Sequence, residues 1–174
     1  MALMVCILLL PQGLTANHGF SYYGEHPVTM VPYRLAFLIS GIFTLLCALY
    51  LPNNRPFRVM KIVFFLMLPF LLGLVFTTSS ATQLISQIHV GIGTSLFVSQ
   101  LVLGFWLASF ICSVPRNTVL LVLLLFGGFI SLLSLLDIMP YLMQGQILFQ
   151  LAFGALTAST LIELRTTVTQ DADL

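Results

Sequence analysis

Five runs of mostly apolar residues dominate the chain: 33–51, 59–77, 88–113, 119–138 and 142–164. A bilayer hydrocarbon core of about 30 Å is crossed by about 20 residues of α-helix, and each run meets or approaches that length. Inside lipid the backbone must satisfy its own hydrogen bonds, so the runs are read as helices. What remains cannot supply a water-soluble surface. Of 174 residues, six are Lys or Arg and five are Asp or Glu, 6% in all, against 59% hydrophobic. Soluble domains carry roughly 25% charge. Mean hydropathy is +1.10. The fold class that follows is all-α, a polytopic transmembrane helix bundle in a single membrane domain over 1–174, with the lipid bilayer as its main partner. A formal net charge of +1 leaves no basic face for nucleic acid.

The breaks between runs carry turn chemistry. Pro52-Asn53-Asn54-Arg55-Pro56 and Pro115-Arg116-Asn117 each stop one helix and start the next, while Ser79-Ser80 and Met139-Pro140 end the helices before them. The polar stretch Thr15–Pro32 is read as a loop, because Pro27 and Pro32 oppose a regular helix there. Residues 1–16 have two readings. Met1–Leu10 is apolar but Pro11, Gln12 and Gly13 follow at once. A thin first transmembrane helix gives six spans and puts both termini in the cytoplasm. A signal peptide cleaved near Ala16 gives five. The retained helix is favoured, since no Lys or Arg precedes Arg34 and signal peptides open on a basic region.

Basic residues in short loops set orientation. Under strict alternation Arg55, Arg58, Lys61, Arg116 and Arg165 share one side and only Arg34 falls on the other. The first side is read as cytoplasmic in a plasma (inner) membrane, with either helix number. Three loops then lie outside: Thr15–Pro32, Thr78–Gln87 and Met139–Tyr141.

Helices in lipid associate through close-packed small residues and through polar groups bonded across the interface. Gly91, Ser95 and Ser99 form one smooth stripe. Gly127 with Ser131, and Gly154 with Ala158, form others. These are expected to pack within the chain, with a homodimer face as the sharper alternative. The last three helices are expected to form the tight centre, and the Phe-rich run holding Phe64, Phe65, Phe70 and Phe76 to face lipid. Cys6, Cys47 and Cys112 sit in apolar runs and read as buried small hydrophobes.

Polar residues within or beside a membrane segment are costly, and each asks for a role. His89, Asp137, Arg34, Gln87, Gln144, Gln146 and Gln150 all fall at the outer level, beneath the loop bearing His18, Glu25 and His26. Three chemistries are open to them. An imidazole beside a carboxylate suits general-base work, which makes His89, Asp137 and His26 the catalytic candidates. A ligand site would draw on Arg34, Glu25, Gln87, Gln100, Gln146 and Gln150. A metal site from His18, His26 and His89 has no standard spacing, with no HExxH and no CxxC, and no metal or other cofactor is implied. Haem lacks a pair of intramembrane histidines, a serine hydrolase lacks its elbow, and Gly91-Ile92-Gly93 has no strand before it. Tyr22, Tyr23, Tyr33 and Tyr141 read as interfacial anchors. Gln100 stands near mid-membrane, where an amide bonds to a neighbouring helix or lines a cavity.

An aromatic Ser21-Tyr22-Tyr23-Gly24 shortly before the second helix, the Ser40-Gly41 pair within it, and basic inner hairpins together resemble small six-helix membrane proteins of the Frag/DRAM/Sfk type and their uncharacterised bacterial relatives. The resemblance spans nearly the whole chain. It implies six-helix architecture and transfers no catalytic residue. The function expected is non-enzymatic: binding, or service as an accessory subunit to other membrane subunits, through the outward polar rim. The alternatives are an interfacial enzyme acting on a lipid-linked substrate through His89 and Asp137, and a small transporter or channel component. No charge near the bilayer centre supports the last.

Overall fold

A computed structural model describes residues 2–15, 19–53, 55–77, 82–111 and 114–172. The described residues are helical, with no strand among them. Helix α1 is Ala2–Leu9, followed by a 3₁₀ turn Pro11–Leu14; α2 is Ser21–Glu25; α3 is Pro27–Tyr50; α4 is Arg55–Phe76. Helix α5 is Gln83–Trp106 and continues as a π turn, Leu107–Ile111; α6 is Pro115–Leu135; α7 is Leu142–Ala172. Five helices among the described residues are long and apolar enough to cross a membrane: Pro27–Tyr50, Phe57–Phe76, Gln83–Ile111, Pro115–Leu135 and Leu142–Leu164. Helix α1 has 8 residues and reaches about 12 Å, well short of a bilayer. The chain thus carries a multi-pass helical architecture, compatible with a membrane protein.

Several helices begin earlier than the apolar pattern suggests, and the largest correction falls on Thr15–Pro32. Most of it is helix. Pro27 sits at the first position of α3, where no intrahelical N–H is required. The His26 carbonyl accepts the Thr29 and Met30 amides, starting the ladder. Thr29, fully buried, donates its hydroxyl to the Tyr23 carbonyl at 2.7 Å and so ties α2 to α3. Pro32 removes one N–H deeper in the helix, a loss that membrane helices tolerate. At the other end of α3, Lys61 Nζ donates to the Leu51 carbonyl (3.4 Å) and to Asn53 Oδ1 (3.1 Å). A cation there answers the negative end of the helix dipole. Residues 1–16 do not form one helix either: Pro11 breaks it, and Leu10 leaves the helical region.

The chain divides into two compact units, Met1–Ser99 and Gln100–Leu174, with the boundary inside α5. In the first, α3 packs on α4 and is topped by α1 and α2. Cys6 is fully buried, its thiol directed at the Thr29 carbonyl. The Phe-rich helix α4 is covered on one face and bare on the other: Phe57, Met60, Phe64, Met67, Leu71 and Leu74 are buried, while Ile62, Phe65, Leu66, Leu72 and Phe76 are exposed. Helix α3 instead leaves most of its apolar surface bare, from Val28 to Tyr50. Its side chains at Leu35, Ile39, Ile42, Phe43, Leu46 and Leu49 are exposed, and four-residue recurrence sets them on one face.

In the second unit α6 and α7 form the closest pair, with the π turn against both. A Cβ on Gly127 would lie 2.6 Å from the Phe149 amide nitrogen and 2.9 Å from the Gly145 carbonyl. A Cβ on Gly145 would lie 2.6 Å from Ser131 Oγ. Backbone meets backbone here, which only glycine allows.

Candidate functional site

Connectivity brings three helix ends of the first unit to one boundary of that unit. Helices α3 and α4 are antiparallel neighbours, so the start of α3 and the end of α4 share a side, and α5 begins there after residue 82. Glu25 and His26 precede α3, Thr77 follows α4, and His89 lies in the second turn of α5.

The cap over this boundary is built by glycine and tyrosine. Gly24 lies against the Tyr33 ring so closely that a Cβ would come within 2.7 Å of Cε1, and Gly13 stands likewise under the Tyr23 ring. Tyr22 stacks on His26 with ring centroids 4.2 Å apart. Of the tyrosines read as interfacial anchors, Tyr23 and Tyr33 are buried parts of a folded cap. Burial pushes the Tyr23 phenol above its ordinary range, and its hydroxyl has no partner among the described residues.

Both described histidines have a fixed tautomer. Thr77 Oγ1 lies 2.9 Å from the Gly73 carbonyl and 3.0 Å from His89 Nδ1. A hydroxyl has one proton, and a carbonyl can only accept. The proton therefore goes to Gly73, and His89 Nδ1–H donates to Thr77. His26 Nδ1 is 2.9 Å from the Tyr22 carbonyl and must donate too. In each neutral ring Nε2 is left as an acceptor, with no partner among the described residues. His89 is buried, 8% exposed, so its orientation is held by packing as well as by Thr77. Arg34, on the third turn of α3, has a buried Nε with no acceptor among the described residues. Glu25 and Gln87 are exposed.

The remaining candidates belong to the second unit and are occupied differently. Gln100 and Gln150 exchange two amide hydrogen bonds, of 3.0 and 2.9 Å, between α5 and α7. Gln146 is half-buried and also has an interaction partner. Asp137 is exposed and lies just past α6 with φ 58, in the left-handed region. Its amide bonds to the Ser134 carbonyl and the next amide, Ile138, to the Leu133 carbonyl. This is a Schellman stop, with Asp where glycine is usual. The ion pair among the described residues is Arg116–Glu163 at 2.6 Å. Glu163 also accepts from Asn117 Nδ2, and Asn117 Oδ1 accepts the Ser159 hydroxyl, which pins the start of α6 to α7.

No three His, Cys, Asp or Glu side chains converge as metal ligands among the described residues. His18 and Cys112 lie outside them, as do Ser79 and Ser80. Of the small-residue stripes, Gly127 and Ser131 are buried in the α6–α7 crossing. A Cβ on Gly91 or Gly154 would meet nothing, and Ala158 is exposed. Ser95 and Ser99 turn their hydroxyls back onto the Gly91 and Ser95 carbonyls. Sequence reasoning missed Thr77 and Tyr33, which hold His89 and Gly24. The one available signal for Thr77 was a hydroxyl at the end of an apolar run twelve residues before a histidine. Compared with known proteins, no family model, no curated protein and no solved structure matches the chain.

Proposed function

We propose that the chain is a small non-enzymatic protein of the plasma membrane that binds a ligand at the polar boundary of its first unit. The observation that carries this reading is the Thr77-held His89: a buried, oriented imidazole with an open acceptor nitrogen. An enzyme would need a second positioned group. The carboxylate first considered, Asp137, stands at a helix stop and is explained by that geometry. The basic residues Arg55, Arg58, Lys61, Arg116 and Arg165 assign their side to the cytoplasm, which turns the His89 boundary outward. That assignment is the same for five spans or six. The retained reading of residues 1–16 draws support from Cys6 and Gly13, which are buried.

Native mass spectrometry of the full chain, released from its own membrane in mild detergent, tests the binding reading. The expected result is an adduct retained by the wild type and lost in His89→Ala, with the fold retained. A bare chain, or an adduct indifferent to His89, overturns it.

A further inference from the structure

We infer that the uncovered face of α7 pairs with the same face of a second copy of this chain, the Gln150 amides of the two copies bonding across the contact. Helix α7 is covered on one side only. Phe149, Ala152, Phe153, Leu156 and Thr160 are buried, while Gln150, Leu151, Gly154, Ala155, Ala158 and Ile162 are exposed. At 3.6 residues per turn the exposed six fall within about 140° of arc, a single face. Its middle is smooth: Gly154 and Ala158 stand one turn apart, and a Cβ on Gly154 would meet nothing. From residue 142 to 162 it carries no charge. The feature that asks for a partner is Gln150. It lies eight residues after Leu142, where the span begins, about 12 Å along the helix and inside a hydrocarbon core of about 30 Å. Its amide exchanges one N–H and one lone pair with Gln100, at 3.0 and 2.9 Å. A primary amide has two of each. The second N–H and the second lone pair are left at an exposed position, and acyl chains satisfy neither. Ser40, exposed on α3, differs: it donates its proton to the Ala36 carbonyl of its own helix. Two turns beyond Gln150 and nearly in line with it, the Thr157 hydroxyl also has no partner among the described residues.

A second copy fits this face better than any other membrane helix. An amide is donor and acceptor at once, so it is complementary to itself. Copies inserted with one orientation pair about a two-fold axis along the membrane normal, which sets each residue at the depth of its counterpart. Gln150 then meets Gln150, and Gly154 with Ala158 lets the two backbones come close enough for that bond. The inference is independent of the ligand boundary in the first unit and rests on the reading of α7 as a membrane span. The test uses the full chain returned to phosphatidylcholine vesicles. Disulfide capture is compared between Gly154→Cys and Ala158→Cys on the uncovered face and Ala152→Cys on the covered one, with the unsubstituted chain as background. Capture of a covalent dimer from the first two is expected to exceed the third by about tenfold. Gly154→Ile leaves the Gln100–Gln150 bonds in place and blocks close approach. It is expected to weaken self-association about tenfold, read by energy transfer between labelled copies, with the unfolding midpoint retained. Gln150→Leu is expected to weaken it as well, and Gln150→Asn, which keeps the amide, to weaken it less. Equal capture from both faces, or none from either, would overturn the inference. So would a loss of association seen only together with a fall in midpoint, which would make the stripe an intramolecular packing surface. Capture in the native membrane of a chain of different mass, with no self-capture, would assign the face to another protein and overturn it too.

Discussion

The two units treat their polar groups in opposite ways. In the α6–α7 unit most polar side chains answer one another, Gln100 with Gln150 and Asn117 with Ser159 and Glu163, and only the Thr157 hydroxyl is buried there without a partner among the described residues. Helix contact there is glycine backbone on backbone at Gly127 and Gly145. In the first unit each imidazole is held at one nitrogen and open at the other, and Arg34 and Tyr23 keep unpartnered atoms. Lipid offers no water to satisfy stray donors and acceptors, so a unit that closes its polar groups on itself is built to stay folded. A unit that leaves them open at the boundary is built to meet something. On the proposed function, binding belongs to the first unit and scaffolding to the second.

The contrast is broken most severely at the α6–α7 crossing. Gly127→Leu forces a side chain into the Phe149 and Gly145 backbones and is expected to cost about 3 kcal/mol or more, the upper end of overpacking. Thermal unfolding in detergent would show it as a large drop in midpoint. Gly154→Ala, where a Cβ meets nothing inside a helix, is expected to raise the midpoint slightly, alanine being favoured there by about 0.5–1 kcal/mol. Equal effects at the two glycines would mean that the crossing is not what holds this unit.

The first unit should respond in binding and not in stability. Thr77→Val keeps the shape of the side chain and removes the hydroxyl that fixes the His89 tautomer. Ligand affinity is expected to fall about tenfold, equivalent to ~1.4 kcal/mol, with the unfolding midpoint nearly constant. A stability loss with unchanged affinity would make Thr77–His89 an ordinary packing contact, and the contrast between the units would lose its functional meaning.

The Gln100–Gln150 pair sharpens the other half. Gln100→Leu strands the second amide and is expected to cost about 1 kcal/mol, within the range of buried interhelical hydrogen bonds. The double variant with Gln150→Leu should recover most of that loss, since neither amide is then left without its partner. A double-mutant cycle by thermal unfolding checks this, and strict additivity of the two losses would show that the pair is not coupled.

Much of this arrangement was legible beforehand, for a physical reason. Length and apolarity announce a span, so the five long helices follow from runs such as 59–77 and 142–164. Small residues announce close approach, so Gly127 and Ser131 were readable as packing residues. The start of α3 was not, because Pro27 and Pro32 argue against a helix unless one knows that Pro27 is its first residue. Which face of α4 is covered was also hidden: Phe and Leu are equally at home against lipid and against another helix. At the site, His89, His26 and Glu25 stood out as polar residues in an apolar chain. Their tautomers did not, since these depend on Thr77, Gly73 and the Tyr22 carbonyl, partners that only three-dimensional structure supplies.

Asp137 is where sequence and structure part most instructively, and it carries the smallest expected effect. An acid beside a membrane helix invites a catalytic role. The structure gives it left-handed backbone at φ 58 and the two reversed hydrogen bonds of a helix stop. Aspartate tolerates that region better than most residues, yet glycine enters it freely. Its negative charge also stands at the carbonyl end of α6, where the helix dipole disfavours it by about 0.3–1 kcal/mol. Asp137→Gly removes both penalties. Against this, glycine loosens the unfolded chain, which offsets part of the gain. The net expectation is stabilisation by about 0.5 kcal/mol, with Asp137→Ala destabilised because alanine keeps the Cβ and loses the local polar support. Ligand retention should be unaltered in both. If Asp137→Gly instead abolished binding while raising the midpoint, the acid would be functional and the division of labour between the units would have to be redrawn.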